Sequence, residues 1–121
     1  MLAGVLALVA TTVLPLQPVF GGGGGARRDV VLQEEQNLED AIEHAKVAVF
    51  HGKDGDAQAL LEHAEDALQY ALKGGTDNPY VEEAISHLKE AIEHGKAGHA
   101  DVATKHAETA AMHLSHGKKV I

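Results

Sequence analysis

Histidine is the residue type in this chain that could do chemistry, and its spacing is regular. The 121-residue sequence contains 9 histidines and no cysteine. Most histidines recur at intervals of seven positions, in the series His44–His51, His87–His94 and His99–His106–His113. Neutral imidazole binds transition metals and also transfers protons. The lack of cysteine excludes a disulfide scaffold, a thiolate metal site, covalent haem attachment and a cysteine nucleophile.

The seven-residue spacing limits how these histidines could share a metal ion. Seven residues of α-helix rise by about 10.5 Å. Two nitrogens bound to one ion at roughly 2.0–2.1 Å can be only about 4 Å apart. Two histidines seven positions apart on one helix therefore cannot bind the same ion, and each needs a second ligand from elsewhere.

Helical periodicity identifies the elements that must position the histidines. Residues 29–51, 56–73, 79–94 and 99–116 have helical spacing of apolar residues. Gly52 and Gly55 interrupt the first pair of segments, and Gly95 and Gly98 interrupt the second. Between the pairs, residues 74–79 offer a glycine stop, Asp77 or Asn78 as a helix cap, and Pro79 for a first turn.

The two pairs are copies of one helical hairpin. A shift of 43 positions places HGK at His51–Lys53 on HGK at His94–Lys96, and HAE at His63–Glu65 on HAE at His106–Glu108. Each helix carries one apolar stripe, and such stripes need partners. The stripes are Leu38, Ile42, Ala45 and Val49; Leu60, Ala64, Ala67 and Ala71; Val81, Ile85, Leu88 and Ile92; and Ala103, Ala107, Ala110 and Leu114. We therefore predict an all-α fold, a monomeric antiparallel four-helix bundle spanning residues 27–121.

The hairpin turns predict which side chains face each other. In an antiparallel pair of helices, residues equidistant from the turn lie opposite one another. The predicted facing pairs are His94 with His99, His87 with His106, Tyr80 with His113, His51 with Asp56, His44 with His63, and Asn37 with Tyr70. The seven-residue period thus becomes a series of ligand pairs across each hairpin.

Carboxylates on the same helices could complete such sites, because positions three or four apart share a face. Asp40, Glu83 and Glu90 each lie four positions before a histidine, and Asp66 lies three after His63. The candidate metal ligands are His44, His51, His63, His87, His94, His99, His106, His113, His116, Asp40, Asp56, Glu83 and Glu90. Nitrogen and oxygen ligands without sulfur suit Cu(II), Ni(II) or Zn(II). Binding should weaken below about pH 6.5, where histidine protonates.

Charge and the N-terminal segment restrict the partners and the location. The chain carries 10 Lys+Arg against 18 Asp+Glu, a formal net charge of −8, which argues against nucleic acid. Residues 1–26 are apolar, uncharged and glycine-rich, and Pro15 and Pro18 make the run too short for a stable membrane anchor. We predict a signal peptide cleaved near Ala26. The basic n-region of such a signal is missing, and a start codon assigned too far downstream would explain its absence. The alternative is a disordered apolar segment.

Several stretches carry a resemblance to a known family. They are LEDAIEHAK at Leu38–Lys46, LLEHAEDAL at Leu60–Leu68, HLKEAIEHGKAGHADVATKHAE at His87–Glu108, and the two HGKxG turns. The sequence from Leu38 to Lys118 resembles the small metal-binding protein family, histidine-rich periplasmic bacterial proteins. The resemblance implies a helical bundle, export to the periplasm, and binding or buffering of Cu(II) without catalysis. Asp56, Tyr70 and Asn78 stand where further ligands would be expected. The second hairpin, with six of the 9 histidines, should therefore bind more strongly.

Two other functions remain open at this point. One is a helical-hairpin module that binds another protein and carries incidental surface histidines. The other is a haem-binding bundle with Met112 and one histidine as axial ligands. The sequence has no HExxH motif, phosphate-binding loop or nucleophile–base pattern, so we do not expect an enzyme.

Overall fold

Four antiparallel α-helices make up the part of the chain that the structure describes. This computed structural model describes residues 25–121, with side chains from residue 28, so the predicted signal peptide lies almost wholly outside the described residues. The helices are α1 (Gly25–Lys53), α2 (Ala57–Lys73), α3 (Pro79–Lys96) and α4 (Ala100–Lys119). Helices α1 and α2 pack as one hairpin, α3 and α4 pack as the other, and the hairpins meet through α1 with α4 and α2 with α3. The predicted all-α four-helix bundle is confirmed.

The two hairpin turns are built alike and explain where α1 and α3 end. The helices continue through Gly52 and Gly95, which we had expected to interrupt them, and stop only at Lys53 and Lys96. The reversal comes at the following glycines, Gly55 at φ 79° and Gly98 at φ 78°, a conformation that L side chains rarely adopt.

Equivalent backbone hydrogen bonds close both turns. The amide of Asp56 donates to the carbonyl of His51 at 3.0 Å, and the amide of His99 donates to the carbonyl of His94 at 2.8 Å. This six-residue closure around a left-handed glycine is the Schellman motif. The motif fixes how the histidine-bearing faces of the two helices meet.

The connection between the hairpins follows the predicted chemistry. Asn78 caps α3, since its Oδ1 accepts from the amide of Tyr80 at 3.0 Å, and Pro79 occupies the first turn. The Asn78 amide group also donates to the carbonyl of Gly117 at 3.0 Å. The residue that starts α3 therefore also holds the end of α4.

The core consists of a few large side chains among many alanines. The largest fully buried side chains are Leu38, Leu60, Val81, Leu88 and Leu114. The predicted stripes of α2, α3 and α4 are buried throughout. In α1 the stripe is rotated: Ala41 and Ala48 are buried, whereas Ile42 and Val49 are half-buried at its edge. Small alanine side chains let the helices approach closely and leave the histidines at the rims of this core.

Helix α1 extends beyond the rest of the bundle. The side-chain amide of Asn37 donates to the carbonyl of Lys73, the last residue of α2, at 3.3 Å. The residues of α1 before Asn37 therefore project past the end of α2, and Val30, Val31 and Leu32 are exposed there. Within residues 25–121, no helix combines the length and the apolar character that a bilayer crossing requires.

Candidate metal centre

The histidines lie along the two hairpin grooves rather than in the core. His44, His63, His87 and His106 are half-buried, and each directly precedes a fully buried residue of the core: Ala45, Ala64, Leu88 and Ala107. Positions next to a buried stripe keep each imidazole partly shielded at the edge of the core. The grooves of α1/α2 and α3/α4 therefore each carry a row of accessible but constrained imidazoles.

In the first hairpin, three side chains bring ligand atoms together. His44 Nδ1 lies 3.3 Å from His63 Nδ1 and 3.9 Å from Asp66 Oδ2. One ligand atom of each residue lies within 4.8 Å of the other two, and this is the only such group of three within residues 25–121. We call His44, His63 and Asp66 the first cluster.

The second hairpin repeats the imidazole pair without the carboxylate. His87 Nδ1 lies 3.2 Å from His106 Nδ1. The residue 43 positions after Asp66 is Thr109, which donates its hydroxyl to the carbonyl of Lys105 at 3.0 Å. The two pairs confirm the predicted facing of His44 with His63 and of His87 with His106.

The spacing of these nitrogens fits a shared ion. Two nitrogens bound to one ion at roughly 2.0–2.1 Å lie at most about 4 Å apart. The separations of 3.3 Å and 3.2 Å fall inside that limit. Each contact joins two Nδ1 atoms, so one of these two nitrogens must carry a proton when the two imidazoles are hydrogen-bonded to each other. A bound cation would replace that proton.

The imidazoles also form two stacked columns, which the facing pairs alone do not predict. The first ring column runs Tyr70, His44, His63, His51, with centroid separations of 5.4, 5.6 and 5.5 Å. The second ring column runs His113, His87, His106, His94, His99, with separations of 5.6, 5.5, 5.5 and 5.9 Å. These steps are about half of the ~10.5 Å rise over seven residues. The rings of the two helices therefore interleave, and most rings contact two rings of the facing helix.

Two predicted carboxylates contact histidines of the facing helix rather than of their own. Glu90 Oε2 lies 3.2 Å from His106 Nε2, and Glu83 Oε2 lies 3.3 Å from His113 Nε2. The sequence associated these glutamates with His94 and His87 through the four-residue spacing. The geometry of the hairpin, rather than the spacing within α3, decides these contacts, because a groove-facing side chain on α3 reaches across to α4.

The other two predicted carboxylates have different partners. Asp40 Oδ1 accepts from the side-chain amide of Gln36 at 3.3 Å. Asp56 is the N-cap of α2, and its Oδ1 accepts from the amide of Ala59 at 3.0 Å. The predicted side-chain pair of His51 and Asp56 is thus replaced by a helix cap.

The predicted facing also shifts at the open ends of the hairpins. Tyr80 meets His116 edge-on, with centroids 5.6 Å apart, whereas we had paired it with His113. The side-chain amide of Asn37, which we had paired with Tyr70, donates to the carbonyl of Lys73, and Tyr70 stacks on His44. At the closed end, His94 and His99 do face each other, with His99 exposed.

The ligand atoms of the site and the fold of the chain together define a class of protein. A helical bundle with paired imidazoles and a carboxylate in its grooves has the donor set that divalent transition metals favour. The family model described as small metal-binding protein matches residues 26–117. The chain belongs to the small metal-binding protein family, as the sequence resemblance indicated, and this membership supports metal binding. No curated protein matches the sequence significantly.

Proposed function

We propose that this protein binds divalent transition-metal ions, chiefly Cu(II), at the facing imidazoles of both hairpins and buffers them without catalysis. The observation that carries the proposal is the first cluster, where two Nδ1 atoms stand 3.3 Å apart with a carboxylate oxygen 3.9 Å from one of them. Two imidazoles and one carboxylate form a ligand set that Cu(II), Ni(II) and Zn(II) accept. The pair of His87 and His106 is the equivalent centre of the second hairpin.

The rest of the molecule supports this proposal. The formal net charge of −8 attracts cations to the whole surface. Asp66 is exposed and the imidazoles of the first cluster are half-buried, so an ion reaches the cluster without unfolding of the bundle. The remaining histidines of each ring column are further candidate ligands.

We further propose that the protein acts in the bacterial periplasm. The apolar, uncharged sequence of residues 1–26 would serve as the export signal, and the bundle would begin near residue 27 as a monomer. The resemblance of the sequence to the small metal-binding protein family implies the same location. In this role the protein would scavenge or buffer metal ions through coordination by neutral imidazole.

Calorimetric titration of the purified full chain with Cu(II), Ni(II) and Zn(II) at pH 7 tests the proposal. We expect saturable heats, with the strongest binding for Cu(II). A variant with His44, His63, His87 and His106 all replaced by alanine should lose the tight sites. Absence of heat for all three metals would contradict metal binding and favour a helical module that binds another protein. The absorption spectrum of the same preparation tests for haem.

A further inference from the structure

Two glutamates of α3 contact the outer ring nitrogens of two histidines of α4. Glu90 Oε2 is 3.2 Å from His106 Nε2, and Glu83 Oε2 is 3.3 Å from His113 Nε2. The two imidazoles are largely shielded from water, with side-chain exposures of 23% and 18%. In His106, the other nitrogen, Nδ1, is the one that faces His87. The Glu90 carboxylate and the facing His87 imidazole therefore contact different nitrogens of the His106 ring.

The chemistry of these contacts selects a tautomer. A neutral imidazole carries one ring proton, and a carboxylate can only accept. The contact with Glu90 is attractive when Nε2 of His106 carries that proton, which leaves the lone pair on Nδ1. The contact of Glu83 with Nε2 of His113 favours the same tautomer, and the Nδ1 of His113 is buried with no hydrogen-bond partner among the described residues.

We propose that Glu90 is a positioning residue that holds His106 with its proton on Nε2, so that Nδ1 is the nitrogen offered to an ion shared with His87. The inference rests on the proposed function. Glu90 is not a ligand in this arrangement, since its oxygen lies against Nε2, the nitrogen that does not face His87. Glu83 has the same relationship to His113.

Comparison of the two repeats shows that the contact between Glu90 and His106 has no equivalent at the same position of the first hairpin. The residue 43 positions before Glu90 is Val47, which offers no acceptor to His63. Conversely, Asp66 approaches the Nδ1 side of His44 in the first cluster, and Thr109 takes its place in the second hairpin. The first hairpin therefore supplies a carboxylate as a third donor, whereas the second uses its carboxylate to orient an imidazole. Outer-shell carboxylates of this kind change metal affinity by roughly 10–100-fold.

The tautomer can be measured without any metal. Long-range ¹H–¹⁵N correlation spectra of the full chain at pH 8 should show His106 protonated on Nε2. Replacement of Glu90 by alanine should move the population towards the Nδ1-protonated form. A wild-type His106 protonated on Nδ1, or a tautomer that Glu90→Ala leaves unchanged, would overturn the inference.

The consequence for binding is tested by titrating Zn(II), which is diamagnetic, while following the His106 resonances. Glu90→Ala should lower the Zn(II) affinity at His106 by about 10–100-fold. Glu93→Ala, an exposed glutamate of the same helix with the same change in charge, should leave it unchanged. Glu90→Gln should retain most of the affinity, because an amide oxygen still accepts from Nε2–H. Equal losses in Glu90→Gln and Glu90→Ala would overturn the positioning role.

The two measurements separate failure of this inference from failure of the proposed function. If Zn(II) leaves the wild-type His106 resonances unperturbed, the proposed metal site is wrong, and the tautomer spectra still decide whether Glu90 orients His106. If Zn(II) binds and Glu90→Ala behaves like Glu93→Ala, the metal site stands and the positioning role is wrong.

Discussion

His87 and His106 face each other across the second hairpin with their Nδ1 atoms 3.2 Å apart, and His44 and His63 do the same in the first hairpin at 3.3 Å. Two copies of one turn, reversed at Gly55 and Gly98, produce this relationship twice. The bundle thus serves to bring seven-spaced histidines of separate helices within reach of one ion.

The role of Asp66 as third donor of the first cluster predicts a specific loss. Asp66→Asn keeps the shape of the side chain and removes its charge, so Cu(II) affinity of the first cluster should fall by at least the roughly 10–100-fold typical of losing an outer-shell partner. Calorimetry on the full chain measures this. Glu65→Gln is the matched control, because Glu65 is the adjacent exposed carboxylate and loses the same charge. Equal effects of the two variants would mean that Asp66 acts on Cu(II) affinity only through the overall negative charge of the protein.

Imidazole coordination predicts that binding depends on pH. The metal-binding form of histidine is neutral, and histidine protonates near pH 6.5, so protons compete with the ion at lower pH. Cu(II) affinity should therefore be high at pH 7 and much weaker at pH 5. Circular dichroism at pH 5 provides the control that the helices remain folded. Affinity that is equal at the two pH values would exclude imidazole as the main ligand.

Most of the fold follows from the sequence, and so do the facing pairs nearest the middle of each hairpin. Helical periodicity and the repeat predicted the bundle and the pairs His44–His63 and His87–His106. The helix ends were less predictable, because a glycine inside a helix and a glycine that ends one are alike in sequence. Gly52 lies within α1, whereas Gly55 has the positive φ that ends the helix.

The finer geometry of the site depended on tertiary packing. Four-residue spacing assigned Glu90 to His94, but the stagger of α3 against α4 places it on His106. Asp56 could equally have faced His51, and the free amides at the start of α2 attract it instead. The interleaving of rings into columns follows from the same stagger, which no spacing within one helix reveals.

Gly52 and Gly95 occupy equivalent positions of the repeat, but replacing each by alanine should change the free energy of unfolding in opposite directions. A Cβ at Gly52 would overlap Thr104 Oγ1 and come within 2.6 Å of Leu60 Cδ1, whereas a Cβ at Gly95 would make ordinary contacts at 3.4 Å or more. Gly52→Ala should destabilise the bundle by about 1–3 kcal/mol through overpacking. Gly95→Ala should stabilise it by about 0.5–1 kcal/mol, because alanine is the better helix residue.

Urea denaturation of the metal-free chain measures both changes in the free energy of unfolding. Each variant is the matched control for the other, since both add one methyl group within a helix. A stabilised Gly52→Ala variant would show that Thr104 and Leu60 move aside more easily than their burial indicates.

A double-mutant cycle on His87 and His106, with Cu(II) affinity measured by calorimetry on the full chain, tests whether the two imidazoles share one ion. If the two imidazoles share one ion, either alanine replacement alone removes that site, and replacing both lowers the affinity little further. Circular dichroism confirms that each variant remains helical. If the losses add, so that the double replacement costs the sum of the two single ones, the facing histidines belong to separate sites and no ion bridges the two helices.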